Sequence, residues 1–171
     1  MQVLRVLGID PGTLNMGYGV VEEQDGNRIA MIGCGVISAP QKLPVEQRLC
    51  LLYEGLVKVI ADYHPVEAAV EEPFVAGNAR SALAIGRAQA VAILAAAQAK
   101  LPVARYMPTQ VKQLVTSYGR SGKDQVRQVV KLQLGVSELP EASDAADALA
   151  VAICHLNQGH LNRVLKRGYQ E

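Results

Sequence analysis

Hydrophobic residues recur along this chain with two different spacings, which together predict a protein of strands and helices. Residues 3–10 form an apolar run that is typical of a strand in the middle of a sheet. Residues 16–38 predict two more antiparallel strands, since the dipeptide Asp25-Gly26 between them is a strong hairpin signal. Short apolar runs at residues 66–74 and 102–107 predict the fourth and fifth strands.

Between and after these strands, apolar positions recur every three to four residues, as on one face of a helix. The predicted helices cover residues 45–63, 81–99, 109–118, 124–135 and 143–157. The second is rich in alanine nearly all round and must be buried on more than one side, against its own sheet or against a second copy of the chain. The order βββαβαβα, with a hairpin first and crossovers after it, predicts an α/β fold of the ribonuclease H type: a mixed five-stranded sheet flanked by helices.

The length and composition fit a single globular domain. With 171 residues, 50% of them hydrophobic and 19% charged, we expect one globular domain over residues 1–157 and a mobile C-terminal tail over residues 158–171. The longest apolar stretch is too short to cross a bilayer, and Arg5 and Asp10 interrupt the region where a signal peptide needs its apolar core. We therefore predict a cytoplasmic protein without membrane contact. The three cysteines are widely spaced and indicate neither a disulfide framework nor a zinc site.

The net charge of +1 conceals an uneven distribution along the chain. Residues 1–72 contain ten acids and five bases, whereas residues 73–137 contain nine bases and one acid. No Asp or Glu occurs from Pro73 to Lys123. Because solvated surfaces normally mix both signs, this basic middle favours a polyanionic partner, and nucleic acid above all, over an idle basic surface.

Four carboxylates stand at positions that favour chemistry. Asp10 closes the first strand, Glu71 closes the fourth, and Asp144 and Asp147 are three residues apart on one face of the last helix. If that face packs toward the sheet, both helix acids point at Asp10. Four acids in one place need divalent cations to balance them, and two such ions can activate water and stabilise a departing 3′ oxygen. The pattern indicates a metal-dependent nuclease.

Each of these acids also has a structural explanation. Asp10 can cap the turn that follows it, and Glu71 can lie on the surface. Asp144 and Asp147 can complement the dipole at the start of their helix, which explains Asp144 better than Asp147, one turn further in. The glycines near Asp10 predict tight turns and close approach of a ligand to the backbone; they are Gly8, Gly12, Gly17 and Gly19.

Ordered motifs connect these residues to a known family. The motifs GIDPG with GYGVV, VEEPF, NARSALAIGRAQ, QVKQLV, GKDQV and SDAADALAVAICH together resemble the RuvC family of bacterial Holliday-junction resolvases across residues 3–157. The resemblance implies that Asp10, Glu71, Asp144 and Asp147 are catalytic metal ligands, with Glu71 rather than Glu72 in the catalytic place. It also implies two Mg²⁺ per active site, with Mn²⁺ as a substitute. The family acts as a homodimer that nicks two opposed strands of four-way DNA, with RuvA and RuvB as its branch-migration partners.

The same resemblance suggests residues that contact DNA. Lys112 and Lys123 match family lysines near the active site, although solvent exposure alone would also explain them. Phe74 matches an aromatic residue that stacks on an unpaired base at the crossover, whereas a lone Phe is otherwise as often in a core. Tyr118, beside a basic Gly-rich loop, is a second candidate for stacking, and Arg120 lies in that loop, which we expect to bind DNA. This loop, GRSGKD, lacks the first Gly and the Ser or Thr of a phosphate-binding P-loop.

Three other functional interpretations of the sequence compete with this one. An ATP-binding fold of the actin and sugar-kinase type needs a second phosphate loop and usually a second domain, for which 171 residues leave no space. A DNA-binding protein without catalysis predicts missing acids, and all four are present. A generic ribonuclease H would share the acids but not the Ala-rich helix or Phe74.

Overall fold

A mixed five-stranded sheet forms the centre of the computed structural model, which describes residues 4–25, 28–72, 79–116 and 122–168, with side chains in the last helix described as far as residue 162. The strands are β1 Arg5–Asp10, β2 Asn15–Gln24, β3 Arg28–Ser38, β4 Glu67–Glu71 and β5 Val103–Tyr106. Their order across the sheet is β3-β2-β1-β4-β5. The first three pair antiparallel, and β1, β4 and β5 pair parallel. The predicted hairpin is present, and its turn at Gly26-Asn27 lies outside the described residues.

Helices cover both faces of this sheet, as the sequence predicts. They are α1 Val45–Tyr63, α2 Ala79–Gln98, α3 Pro108–Thr116, α4 Lys123–Leu134 and α5 Ser143–Gly168. Leu7 and Ile9 of β1 share a core with residues of α1 and α2. Val6 of the same strand belongs to the opposite core, together with residues of α3, α4 and α5. Because side chains alternate along a strand, Asp10 points to the side of α5.

Three glycines allow α5 to lie directly on the sheet. A Cβ atom added at Gly8 would overlap the carbonyl oxygen of Ala148, and one added at Gly17 would overlap that of Asp144. A Cβ at Gly19 would come within 2.7 Å of the backbone nitrogen of Leu149. The expectation that these glycines admit a ligand is therefore wrong, since the backbone that approaches them is that of α5.

The last helix is longer than predicted. Its periodicity suggested an end at residue 157, but α5 continues to Gly168 and the predicted domain boundary falls inside it. His160 contacts the sheet, with its Nε2 3.5 Å from a carboxylate oxygen of Glu23 in β2. The mobility of the tail stays a prediction.

In the described part of the chain, α2 has the length and hydropathy of a helix that could span a membrane. Composition alone cannot separate such a helix from one packed in a domain, and here Ala88, Ala92, Ala95 and Ala96 are buried on one stripe of it. Leu83 and Leu94 remain 58% and 51% exposed. The helix therefore covers the sheet with one side and presents two large apolar side chains on another.

Candidate active site

Asp10 and Glu71 lie side by side at the ends of two neighbouring parallel strands. The register pairs Ile9 of β1 with Val70 of β4, so the next residue on each strand is one of these acids. Glu71 therefore shares the α5 side of the sheet with Asp10. Their carboxyl groups hydrogen-bond to each other, with the protonated Glu71 donating to the Asp10 carboxylate. Strand pairing alone thus joins two acids that are 61 residues apart in the sequence.

Burial makes negative charge costly for both groups. Loss of solvent, followed by the charge of Asp147, raises the pKa of Asp10 to about 6. Loss of solvent, followed by the charge of Asp10 and its hydrogen bond, raises the pKa of Glu71 to about 8. At neutral pH the pair therefore holds a proton that two isolated carboxyl groups would have lost.

The start of α5 brings the second pair of acids to the same place. The backbone of Asp144 lies against Gly17 of β2. The charges of Asp144 and Asp147 both raise the pKa of Asp10, and that of Asp147 also raises the pKa of Glu71. The structure therefore gathers all four predicted acids within one electrostatic neighbourhood, while their catalytic role stays a prediction.

Lys123 adds a positive charge to this group. It is the first residue of α4, and its Nζ lies 3.2 Å from Oδ2 of Asp147. The Asp147 charge raises the pKa of Lys123, and the ammonium in turn lowers the pKa values of Asp10 and Glu71. The lysine side chain is 75% exposed, so this ion pair can open without burying a charge. Of the two predicted lysines, Lys123 is the one that the structure joins to the acids.

Of the other residues predicted to contact DNA, Lys112 alone lies in the described part of the chain. Lys112 lies half-buried on α3, and no ion pair of its ammonium with an acid occurs among the described residues. Phe74, Tyr118 and Arg120 lie outside the described residues. Glu72, the acid next to Glu71, follows the end of β4 and is 3.7 Å from the guanidinium of Arg105 in a surface ion pair.

The donor set suits a hard divalent cation. Carboxylate oxygens are the ligands that Mg²⁺ and Mn²⁺ prefer. The raised pKa values of Asp10 and Glu71 reflect burial first and neighbouring negative charge second, and a bound cation would balance that charge. Among the described residues, no three His, Cys, Asp or Glu side chains stand close enough to hold an ion as they are. Cation binding would displace the proton shared by Asp10 and Glu71, because the two compete for the same oxygens.

A polar cluster that the sequence did not predict lies beside the acids. Tyr106 of β5 pairs with Glu71 in the sheet register, and its hydroxyl contacts His155 of α5, which in turn contacts Glu67 of β4. The three histidines lack metal-ligand spacing in the sequence, which therefore gave no reason to assign any of them a role at the site. The available signal was the four-residue spacing of Glu67 and Glu71, which puts both acids on one face of a strand.

A ribonuclease H-like sheet with acids at the ends of its two central parallel strands defines the class of protein, a nuclease. Comparison with known proteins then gives the family. The sequence matches the family "Crossover junction endodeoxyribonuclease RuvC" over residues 6–155. The RuvC of Dehalococcoides mccartyi is 47% identical over 165 residues, which cover 96% of this chain and 98% of that protein. The RuvC of Syntrophotalea carbinolica is 50% identical over 162 residues, covering 95% and 99%.

A solved structure agrees with these relatives. Thermus thermophilus RuvC in complex with a Holliday junction substrate superimposes with a TM-score of 0.87 at 31% identity, covering 93% of this chain and 96% of that one. The chain belongs to the RuvC family of crossover junction endodeoxyribonucleases.

Proposed function

We propose that this protein resolves four-way DNA junctions by metal-dependent hydrolysis of phosphodiester bonds on two opposed strands, during recombination and repair in the cytoplasm. The observation that carries the proposal is the gathering of Asp10, Glu71, Asp144 and Asp147 from three distant segments into one charge-coupled group. Family membership supports the choice of four-way DNA as the substrate.

The four acids are the proposed ligands of two Mg²⁺ ions per site, for which Mn²⁺ can substitute. Such ions, when bound, lower the pKa of a coordinated water and stabilise the charge on the departing 3′ oxygen. The protein supplies the rest of the site. Asp10 and Glu71 are fixed by sheet pairing, Asp144 and Asp147 are fixed by a helix, and the sheet beneath them excludes water.

Lys123 is the proposed phosphate contact. Its ammonium stands at the acids but is 75% exposed, so it can turn from Asp147 toward a phosphate oxygen of the bound strand. Lys112, Tyr118 and Arg120 complete the proposed set of DNA contacts. The acid-free run from Pro73 to Lys123 supports this assignment, since a polyanion would be repelled by interspersed acids.

Phe74 is the proposed stacking residue at the crossover, and it follows Glu71 by three positions. Stacking on one unpaired base stabilises an opened junction by ~1 to 3 kcal/mol. Phe74→Ala should therefore lose resolution of intact junctions, keep its melting temperature, and recover partly on junctions with unpaired bases at the centre. Equal loss on intact and pre-opened substrates, measured by nicking rates, would exclude stacking.

Cleavage of two opposed strands requires two active sites, and we propose a homodimer that meets through α2. The exposed Leu83 and Leu94 support this face, because they are eleven residues apart and so lie on one stripe of the helix. RuvA and RuvB are the proposed branch-migration partners, and this part of the proposal rests on family membership alone.

The decisive experiment compares the four acid variants on several substrates. Asp10→Asn, Glu71→Gln, Asp144→Asn and Asp147→Asn should each slow nicking by about a hundredfold or more, since metal ligation is worth several kcal/mol. Junction binding in EDTA should persist, because each change removes a charge that repels phosphate. Full nicking by any one variant would remove that residue from the site. Equal cleavage of four-way DNA, linear duplex and RNA/DNA hybrid by the unmodified protein would favour a generic nuclease instead.

A further inference from the structure

The contact between α5 and the sheet is largely apolar, and at three positions the sheet contributes only glycine to it. At Gly8, Gly17 and Gly19, the strands meet the backbone of α5, and at Gly8 and Gly19 also the side chains of Ala152 and Leu149. Helices are normally held in position by side-chain ridges that fit into grooves, and a glycine surface offers no such ridges. A polar contact adds to the apolar packing of α5 and bears on where Asp144 and Asp147 stand.

A hydrogen-bond chain between α5 and the edge of the sheet supplies that contact. The hydroxyl of Tyr106 lies 2.8 Å from Nδ1 of His155, and Nε2 of His155 lies 2.5 Å from a carboxylate oxygen of Glu67. A neutral imidazole with its proton on Nε2 satisfies both contacts, because it accepts from the tyrosine and donates to the carboxylate. Burial raises the pKa of Tyr106 to about 12, so its hydroxyl remains a donor.

The hydrogen-bond chain links the strand that carries Glu71 to α5, which carries Asp144 and Asp147. Tyr106 is the register partner of Glu71, and Glu67 lies on the same face of β4 as Glu71. His155 is eleven residues beyond Asp144, about three helical turns, so the two lie on nearly the same stripe of α5. A rotation or slide of the helix that displaced Asp144 would also break the contacts of His155.

We infer that Tyr106, His155 and Glu67 are positioning residues, which lock the rotation and register of α5 so that Asp144 and Asp147 stand over the acids of β1 and β4. They do not touch the reacting atoms. The inference deepens the proposed function and rests on it, since the metal-binding acids are what the chain of hydrogen bonds positions. Its chemical consequence is a higher affinity of the assembled acid group for a divalent cation.

The test removes one hydrogen bond at a time and titrates Mg²⁺. In Tyr106→Phe and Glu67→Ala, the Mg²⁺ concentration at the midpoint of thermal stabilisation should rise by up to about fivefold, the effect of one ordinary hydrogen bond. Nicking should need correspondingly more Mg²⁺ and recover when Mg²⁺ is saturating. Junction binding in EDTA should not change. Glu67→Gln keeps an acceptor for the imidazole proton and should keep the original midpoint.

Tyr53→Phe is the matched control. It removes a tyrosine hydroxyl that bonds to Gln98 between α1 and α2, on the other face of the sheet, and should leave the Mg²⁺ midpoint unchanged. If Tyr106→Phe lowers the melting temperature but not the affinity for Mg²⁺, the chain is only structural and the inference is overturned. If the variants shift the midpoint while the unmodified protein fails to nick junctions, positioning stands and the junction function falls.

Discussion

At the scale of single residues, the shared proton of Asp10 and Glu71 links the site to pH. Both carboxyl groups hold their protons to higher pH in the folded chain than in the unfolded one, with pKa values of about 6 and about 8 in place of 3.8 and 4.5. Proton uptake therefore favours the folded state, and this stability is lost as pH rises. Divalent cations compete with the proton for the same oxygens.

We therefore expect the metal-free protein to lose stability between about pH 4 and pH 8, where the folded state binds more protons than the unfolded state. Melting temperatures measured in EDTA across this interval check the direction. Glu71→Gln should flatten the dependence, because the group that titrates highest is gone. Excess Mg²⁺ should oppose the loss at the upper end of the interval. A melting temperature that instead rises steadily to pH 8 in EDTA would contradict the shared proton.

At the scale of elements, the glycines of β1 and β2 decide how closely α5 approaches the sheet. Their place in the sequence, beside an acid at a strand end, is equally typical of a ligand-binding turn. A glycine for helix packing and a glycine for ligand binding differ in which element covers the strands, and the local sequence does not determine that. Gly8, Gly17 and Gly19 could be assigned to helix packing only once the position of α5 was known.

Gly17→Ala should displace the start of α5, because its methyl group would overlap the backbone of Asp144. We expect a loss of about 1–3 kcal/mol in the free energy of unfolding, typical of overpacking, together with weaker Mg²⁺ binding. Gly159→Ala, within α5 itself, is the control. Among the described residues, nothing beyond the adjacent backbone of its own helix lies within 4 Å of its added Cβ, so this change should stabilise the protein by up to about 1 kcal/mol. Urea denaturation measures both, and equal effects would refute the close contact.

At the scale of the whole molecule, the proposed dimer depends on the exposed stripe of α2. Leu94→Glu should place a charge in the interface and give a monomer by sedimentation, with paired nicking of opposed strands lost. Leu132→Glu on α4 is the control, since this leucine is 79% exposed but lies on a different helix. It should leave the dimer intact. A dimer that survives Leu94→Glu would place the interface elsewhere.

The sequence predicted what local periodicity determines. The five strands, the helices between them and the face shared by Asp144 and Asp147 all follow from the spacing of apolar residues, and the mixed sheet follows from their order. Contacts between distant segments could not be predicted from this spacing. The ion pair of Lys123 with Asp147, the role of His155 and the continuation of α5 to Gly168 depend on how elements pack. The charge pattern of α5 beyond residue 157 resembles a solvated tail, although His160 packs on β2.

The division of the acids among β1, β4 and α5 also bears on protein synthesis. A chain still on the ribosome and translated only through β5 holds Asp10 and Glu71 on a sheet whose glycine face has no helix to cover it. Such a chain lacks half of the proposed metal ligands, and we expect it not to cut DNA. The same holds for a product of premature termination before residue 144. Docking of α5 both closes this side of the core and completes the proposed set of metal ligands, so we expect nuclease activity only from chains that include α5.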